Sequence, residues 1–255
     1  MIKQNSYSVI LPTLNEAGHI KSLISDISKN FYNSETLFEI IVVDDSSSDG
    51  TVESLRAMDQ KNLTIHTRVN KKKSLVNSLN EGIAIAKYEN IIWMDADYSH
   101  PPEYILDFIN MNKKDNLDAI VCSRFLQGSK RYYEDTDLKP VTIDLLSIVL
   151  NKACKFLLFK DLTDYTSGYI CIKSKIIKNI ILKGYYGDYF IVLMAKCKFQ
   201  GKKILEIPFI EKERASGKSK TTGNKFNFVV KCFFYIVALL KSFFMKFLIF
   251  FKIKQ

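Results

Sequence analysis

Among the residues of this chain that could do chemistry, Asp95-Ala96-Asp97 stands out. It comes directly after the apolar run Ile91-Ile92-Trp93-Met94. Two carboxylates one residue apart on a tight turn can both offer oxygen to a hard divalent cation. Such a cation suits a diphosphate, because charge builds on the leaving phosphate as its bond breaks. A solvated turn with two capping aspartates would share this spacing. The adjoining run Tyr98-Ser99-His100-Pro101-Pro102-Glu103 sets prolines at a helix start and points to a built site. Asn15-Glu16 and Asp44-Asp45 are acidic clusters of the same kind.

The elements around these clusters explain their placing. Tyr7–Leu11, Glu39–Val43, Leu63–His66, Asn90–Met94 and Ala119–Cys122 read as buried strands. Residues 16–29, 50–60, 74–87 and 102–113 carry apolar positions at helical spacing. Strands alternating with helices predict right-handed βαβ units and a mainly parallel sheet. Ligands of such sheets bind beyond the carboxyl ends of the strands, and all three acidic clusters lie just past a strand. Further on, 141–158 and 187–200 read as helices, and 166–172 and Ile204–Phe209 as strands. Gln127 to Pro140 reads as a polar loop and Arg214 to Asn224 as a mobile basic one.

Charge separates the tail from the body. Residues 1–211 hold 27 basic and 26 acidic side chains, whereas 212–255 hold 10 basic and one acidic. A nucleic-acid binder spreads Lys and Arg over a folded face with stacking aromatics, so this pattern argues against nucleic acid. Residues 225–252 are strongly apolar but broken by lysines, and their longest uninterrupted apolar run is Cys232 to Leu240. At about 100° per residue, Asn227, Lys231, Lys241, Ser242, Lys246 and Lys252 fall within an arc of roughly 140°. The expectation is an amphipathic helix in a membrane interface with its lysines meeting anionic headgroups. A helix packed on the body with a solvated lysine face and a snorkelling transmembrane helix are the alternatives. The polar start, Met1 to Tyr7, reads as carrying no secretory signal. Cys122, Cys154, Cys171, Cys197 and Cys232 form no CxxC pair, which predicts reduced thiols in a cytosolic setting.

Six motifs occur in chain order: VILPTLNE (Val9 to Glu16), DDSSSDGT (Asp44 to Thr51), DADYSHPPE (Asp95 to Glu103), SRF (Ser123 to Phe125), DYTSGY (Asp164 to Tyr169) and ERASGKSK (Glu213 to Lys220). Together they resemble the family 2 inverting glycosyltransferases, and within these the dolichyl- or polyprenyl-phosphate mannose synthases. The resemblance covers residues 8 to 220. It implies an α/β fold of the glycosyltransferase A type (nucleotide-diphospho-sugar transferase), a mainly parallel central sheet flanked by helices. Residues 1–224 would be the catalytic domain and 225–255 a membrane-associated helical tail.

The same resemblance implies roles. Pro12, Asn15, Glu16, Asp44, Asp45, Lys72, Asp95 and Ala96 would line the sugar-nucleotide pocket. Asp95, Asp97 and Ser99 would hold a divalent metal, Mg²⁺ or Mn²⁺. Asp97 and Arg124 would serve catalysis. Arg124, Arg214, Ser219 and Lys220 would bind the lipid phosphate or the departing diphosphate. Helix capping is the local alternative for Asp44 and Asp45, with Asp49 the plainer cap. The implied reaction moves a hexose, mannose from GDP-mannose, to a polyprenyl phosphate on the cytoplasmic face of a membrane, and a homo-oligomer stays open. The alternatives are a UDP-sugar donor, a glycan hydroxyl acceptor with Asp164 or Asp188 as base, or a non-catalytic member of the fold. The chain departs from the family pattern in three places. Lys72-Lys73-Ser74-Leu75-Val76 replaces a Lys-x-Gly-Leu-Gly turn, Phe190 and Val192 replace a Gln and a Glu, and an arginine expected about four residues before Ser147 is absent, Lys139 being the nearest substitute.

Overall fold

A computed structural model describes residues 5–131, 140–215 and 225–252 of the protein. Its fifteen elements in chain order are β1 (Ser6–Thr13), α1 (Ile20–Asn33), β2 (Leu37–Asp44), α2 (Thr51–Arg56), β3 (Leu63–Thr67), α3 (Leu75–Ile85), β4 (Asn90–Trp93), α4 (Tyr104–Lys114), β5 (Ala119–Ser123), α5 (Pro140–Leu157), β6 (Ile170–Lys173), α6 (Ser174–Ile177), α7 (Tyr189–Phe199), β7 (Ile204–Pro208) and α8 (Lys225–Lys252). They form a seven-stranded sheet in the order β3-β2-β1-β4-β6-β5-β7. β1 runs parallel to β2 and β4, β2 to β3, and β5 to β7, whereas β6 is antiparallel to both of its neighbours.

Strands buried on both faces need continuous apolar runs, and β1 and β2 supply them. Their side chains alternate between two cores. Ile10, Ile41, Val43, Ile91 and Trp93 face α3, α7 and α8, while Val9, Leu11, Ile40, Val42 and Ile92 face α1 and α4. In α1, the apolar Ile20, Leu23, Ile24, Ile27 and Phe31 recur at helical spacing and are fully buried. Burial of each contributes about 1.5–3 kcal/mol. α3 starts where Ser74 caps it, its Oγ accepting from the Asn77 N–H at 3.3 Å. α1 begins four residues later than its apolar spacing alone indicates, because residues 14–19 form a loop through Asn15 at φ +58°. β6 is confined to residues 170–173 because the chain before it turns through Gly168 at φ +74°.

The tail is helical over the expected span, but Lys231, Ser242 and Lys246 of its polar stripe point the other way. Lys231 and Ser242 are buried against the body. Lys231 lies over the Tyr186 ring at 4.2 Å, and burial lowers its ammonium to about 8. Lys246 Nζ donates to the carbonyls of Leu157, at 3.0 Å, and Leu158, at the C-terminal end of α5. Last-turn carbonyls are the groups a helix leaves unpaired, so this lysine is a cap. The exposed face is instead apolar: Phe233, Ile236, Val237, Leu240, Phe244, Phe247 and Leu248. Lys241, at the edge of the stripe, is the exposed one among its members with described side chains. Headgroup contact by Lys231 and Lys246 is therefore corrected, since both already serve the body.

One close approach ties α3 to the sheet. A Cβ at Gly82 would come 2.5 Å from Ile10 Cγ2 and 3.2 Å from Val43 Cγ2, both on stiff β-branched side chains. Gly82→Val is expected to cost at least about 2 kcal/mol through overpacking, despite the better helix propensity of Val. Urea unfolding of the two proteins measures it.

Candidate functional site

Sheet polarity gathers the chemistry on one edge. β1, β2, β3 and β4 all end there at Thr13, Asp44, Thr67 and Trp93. β5 and β7 also end there, because β6, reversed, starts at that edge. The loops 14–19, 45–50, 68–74, 94–103, 124–129, 162–169 and 209–215 therefore share one rim.

The Asp95–Asp97 turn is held from many sides. Tyr98 adopts φ +68°, a left-handed conformation unusual for a bulky residue. Asp97 is buried, and its Oδ1 accepts from Ser99 N–H at 3.0 Å and Ser99 Oγ–H at 2.6 Å. Its Oδ2 pairs with Arg214 Nη1. The backbone adds Ala215 N–H to Asp97 O at 2.9 Å and Lys212 N–H to Ser99 O at 3.1 Å. Burial opposes ionisation of Asp97, yet Arg214 and the Ser99 donors outweigh it and hold the carboxyl below its ordinary range. His100 Nδ1 accepts from Asp95 N–H at 3.0 Å, and His19 Nε2 lies 2.9 Å from the Ala96 carbonyl.

The residues expected around a nucleotide knit two loops together. Asn15 N–H donates to Ser47 Oγ at 2.8 Å, Ser48 N–H to Asn15 Oδ1 at 2.9 Å, and Glu16 N–H to Thr51 Oγ1 at 2.9 Å. Asp44 accepts from the Ser47 N–H at 3.0 Å and from its hydroxyl at 2.5 Å. Asp45 pairs with the buried Arg68 and accepts from Ser74 N–H at 2.5 Å. Asp49 accepts from Ala17 N–H at 3.0 Å and Thr51 N–H at 3.1 Å, at the start of α2. Arg68 also meets Glu81 at 3.0 Å, which His66 and Lys71 join at 2.7 and 3.0 Å. Partial burial opposes ionisation of Glu81, but these donors lower it to about 2. Ser74, where the glycine turn is absent, thus caps α3 and anchors the loop on Asp45. Lys72 has an exposed side chain, and its carbonyl accepts from Arg68 Nη2 at 3.3 Å. Arg68 was not legible as a site residue, and its place just past β3 is the signal that points to it.

Arg124 is fixed by a buried fork. Its Nε and Nη2 donate to Asp164 Oδ2 and Oδ1 at 2.8 and 3.0 Å, and Nη2 also donates to Thr166 Oγ1 at 2.8 Å. Glu211 adds a longer ion pair at 3.8 Å. Glu206 of β7 sets the turn beneath, its carboxylate accepting from Thr163 N–H at 2.7 Å and Asp164 N–H at 2.8 Å. Burial opposes ionisation of Asp164, but Arg124 outweighs it and keeps the carboxyl low. Asp188, the other carboxylate singled out as a base, accepts from Tyr185 N–H at 2.9 Å and Tyr186 N–H at 2.7 Å.

A cavity of about 450 Å³ opens beside this rim. Asp95, His100, Arg124, Glu211 and Arg214 are its charged and polar lining, and α5 and α8 contribute the apolar Leu146, Val149, Leu150, Ile236 and Leu239, joined by Pro12, Leu75, Leu79, Trp93 and Tyr189. Asn15, Glu16, Asp44, Asp45, Lys72, Ala96, Asp97 and Ser99 lie outside its lining. Ser219, Lys220 and Lys139 lie outside the described residues. Phe190 is buried in the core and Val192 packs against it.

The donor set at Asp95 and Asp97 suits a hard divalent cation in kind. No group of three or more His, Cys, Asp or Glu side chains converges among the described residues. Mg²⁺ is commonly held by one or two carboxylates together with substrate phosphates, so the pair fits. Arg214 would share or cede Asp97 Oδ2.

With its strand-end rim and sheet order, the chain has the nucleotide-sugar transferase fold of the A type. Residues 8–181 match the model of the glycosyl transferase family 2, and the chain belongs to that family. It is 29% identical over 216 residues to a dolichol-phosphate mannosyltransferase of Pyrococcus furiosus, covering 85% of this chain and 59% of that one. It is 26% identical over 224 residues to an undecaprenyl-phosphate mannosyltransferase of Micrococcus luteus, covering 84% and 86%. The chain thus spans 59% of the length of the Pyrococcus relative. Among solved structures, glucosyl-3-phosphoglycerate synthase from Mycobacterium tuberculosis, in complex with Mn²⁺, UDP and glucosyl-3-phosphoglycerate, superposes with a TM-score of 0.68. The two are 18% identical, over 93% of this chain and 80% of that one.

Removing the fork under Arg124 tests the geometry. Asp164→Asn strands a largely buried guanidinium and is expected to cost about 3 kcal/mol of stability at pH 7. A carboxyl lowered in the fold stabilises fully above its unfolded value near about 4 and loses that contribution as pH falls through the folded value. Urea titrations at several pH values should therefore show a shallower acid-side loss in the variant.

Proposed function

We propose that this family 2 glycosyltransferase moves a hexose, mannose from GDP-mannose, onto a polyprenyl phosphate at the cytoplasmic face of a membrane. The observation that carries the reading is the cavity, charged at Asp95, Arg124 and Arg214 and apolar where α5 and α8 wall it. A phosphate monoester on a long hydrocarbon chain has that same division. The names of the Pyrococcus and Micrococcus relatives agree with it.

In this reading the lipid phosphate oxygen attacks the anomeric carbon, the bond to the nucleotide diphosphate breaks, and the configuration inverts. A phosphate monoester is largely anionic at pH 7, so no side chain has to take a proton from it. That fits the commitments of the nearby carboxylates, with Asp164 held by Arg124 and Asp188 by backbone amides. Asp95 and Asp97, with Ser99 beside them, would hold a Mg²⁺ or Mn²⁺, which neutralises charge on the leaving diphosphate. Pro12, Asn15, Glu16, Asp44, Asp45, Lys72 and Ala96 would shape the nucleotide side. Arg124 presents its guanidinium to the phosphates. Arg214 would join it when it leaves Asp97, and Ser219 and Lys220, a few positions later in the sequence, would act with it.

The inverted α8 supports membrane attachment. Val229–Ile249 is long and apolar enough to cross a bilayer by length and composition. Yet Lys231 and Lys246 both face the body, so that body covers one flank for roughly 22 Å of helix. A spanning helix would draw α7 and the catalytic rim into hydrocarbon. Lying in the interface, α8 instead buries its outer apolar face in lipid and leaves the rim in water. Leu146 and Val149 of α5 and Ile236 of α8 are both exposed and cavity-lining, so the cavity opens onto that apolar face.

Two measurements decide. The purified chain with Mg²⁺ or Mn²⁺, polyprenyl phosphate and labelled GDP-mannose should yield a lipid-soluble product, with UDP-glucose tested in parallel. No transfer from any sugar nucleotide would overturn the enzyme reading, and transfer from UDP-sugars alone would overturn the donor. In vesicle sedimentation, Phe244→Glu with Phe247→Glu should release the protein while its circular dichroism is unchanged. Continued sedimentation would refute the interfacial α8.

A further inference from the structure

The turn that carries Asp95 and Asp97 is gripped at two peptide groups by two buried histidines whose roles the backbone dictates. A backbone N–H can only donate, so His100 Nδ1, 3.0 Å from Asp95 N, must present a lone pair. A carbonyl can only accept, so His19 Nε2, 2.9 Å from Ala96 O, must carry a proton. Each ring is itself held. His100 stacks on Tyr169 at 4.9 Å with 10° between the planes and meets the edge of Phe209 at 5.9 Å. Tyr169 in turn donates to Pro101 O at 3.0 Å. His19 opens α1, and its Nε2 also lies 3.2 Å from Glu16 Oε2, so its proton is shared between that carboxylate and the nearer Ala96 carbonyl; the ring contacts Tyr98, whose hydroxyl donates to Asp26 at 2.7 Å. The turn between them is strained at Tyr98, and a strained segment persists only where its surroundings over-determine it.

We infer that His19 and His100 are positioning residues, a donor and an acceptor that clasp the Asp-Ala-Asp turn and set where its two carboxylates stand. Both bond peptide groups of the turn. His100 faces the cavity but spends Nδ1 on the backbone, and His19 reaches the turn from the first loop. The clasp joins β1's loop to β4's, so the arrangement of the acidic pair depends on residues 77 positions apart in the chain.

Amide side chains discriminate this role, because Asn places an oxygen near the Nδ1 position of His and Gln places its amide near the Nε2 position. The first readout is hydrogen exchange of the segment 94–100 in the protein without ligand, so it does not rest on the proposed reaction. His100→Leu and His100→Gln should speed that exchange at least about tenfold, because a buried donor loses its acceptor. His100→Asn should stay within about threefold of the natural protein. For His19 the order reverses, with His19→Gln retaining protection and His19→Leu losing it. The second readout is Mn²⁺ affinity by paramagnetic resonance with GDP or UDP present, expected to weaken about tenfold in the same unprotected variants. If His100→Leu does not fold, the Asn and Gln pair carries the comparison. Exchange at the natural rate in His100→Gln, or equal loss in His100→Asn and His100→Gln, overturns the clasp. Failure of the natural protein to bind either nucleotide overturns the proposed reaction, while the exchange comparison still judges the clasp.

Discussion

Parallel pairing of β1 with β2 and β4 sends three strands toward the same edge, and Asp44, Asp95, Asp97 and Arg124 are arranged around that edge. β6 matters as much as any strand that ends there. By running back between β4 and β5 it lets the second half of the chain deliver Arg124 and Glu211 to the rim already occupied by Asp44 and Asp95. The reversed strand also begins at the rim, so Asp164 and Thr166, which precede it, sit under Arg124. Were β5 reversed relative to β4, the acidic turn and the arginine would lie at opposite edges of the sheet.

Buried charge at this rim is matched locally. Arg68 meets Asp45 and Glu81, Arg124 meets Asp164 and Glu211, and Arg214 meets Asp97. Taking such charges out of water costs several kcal/mol per ion, and the pairing offsets that cost only where geometry and further hydrogen bonds are good. The Arg124 fork satisfies this with two bonds to one carboxylate and a third to Thr166. The rim is thereby stiffened before any ligand arrives, which is what an electrostatic site requires, since prealigned charges need no reorganisation during reaction.

α8 shows how amphipathicity can be read correctly as a pattern and wrongly as a direction. A stripe of lysine and serine along a helix is ordinarily the wet face. Here Lys246 reaches carbonyls at the end of α5, Lys231 lies on Tyr186, and the Phe-rich face is outermost. An outward apolar face of this size is unfavourable in water, which is the physical ground for the proposal that lipid covers it.

The sequence by itself determined the alternation of strands and helices, the two-sided burial of β1 and β2, the acidic clusters past strand ends and the family. These come from periodicity and local residue type, which report burial and turn chemistry directly. It named Asp95, Asp97 and Arg124 but not what holds them. Only the tertiary structure decided that β6 runs backward, that Asp45 meets Arg68, that Asp97 meets Arg214, and that His19 reaches the turn at Ala96. Apolar periods carry no strand polarity, and partners such as Arg124 and Asp164, 40 residues apart, become neighbours through the packing of the whole sheet. The same holds for α8, where the stripe is written in the sequence but its inward turn is set by the carbonyls of α5 and the ring of Tyr186.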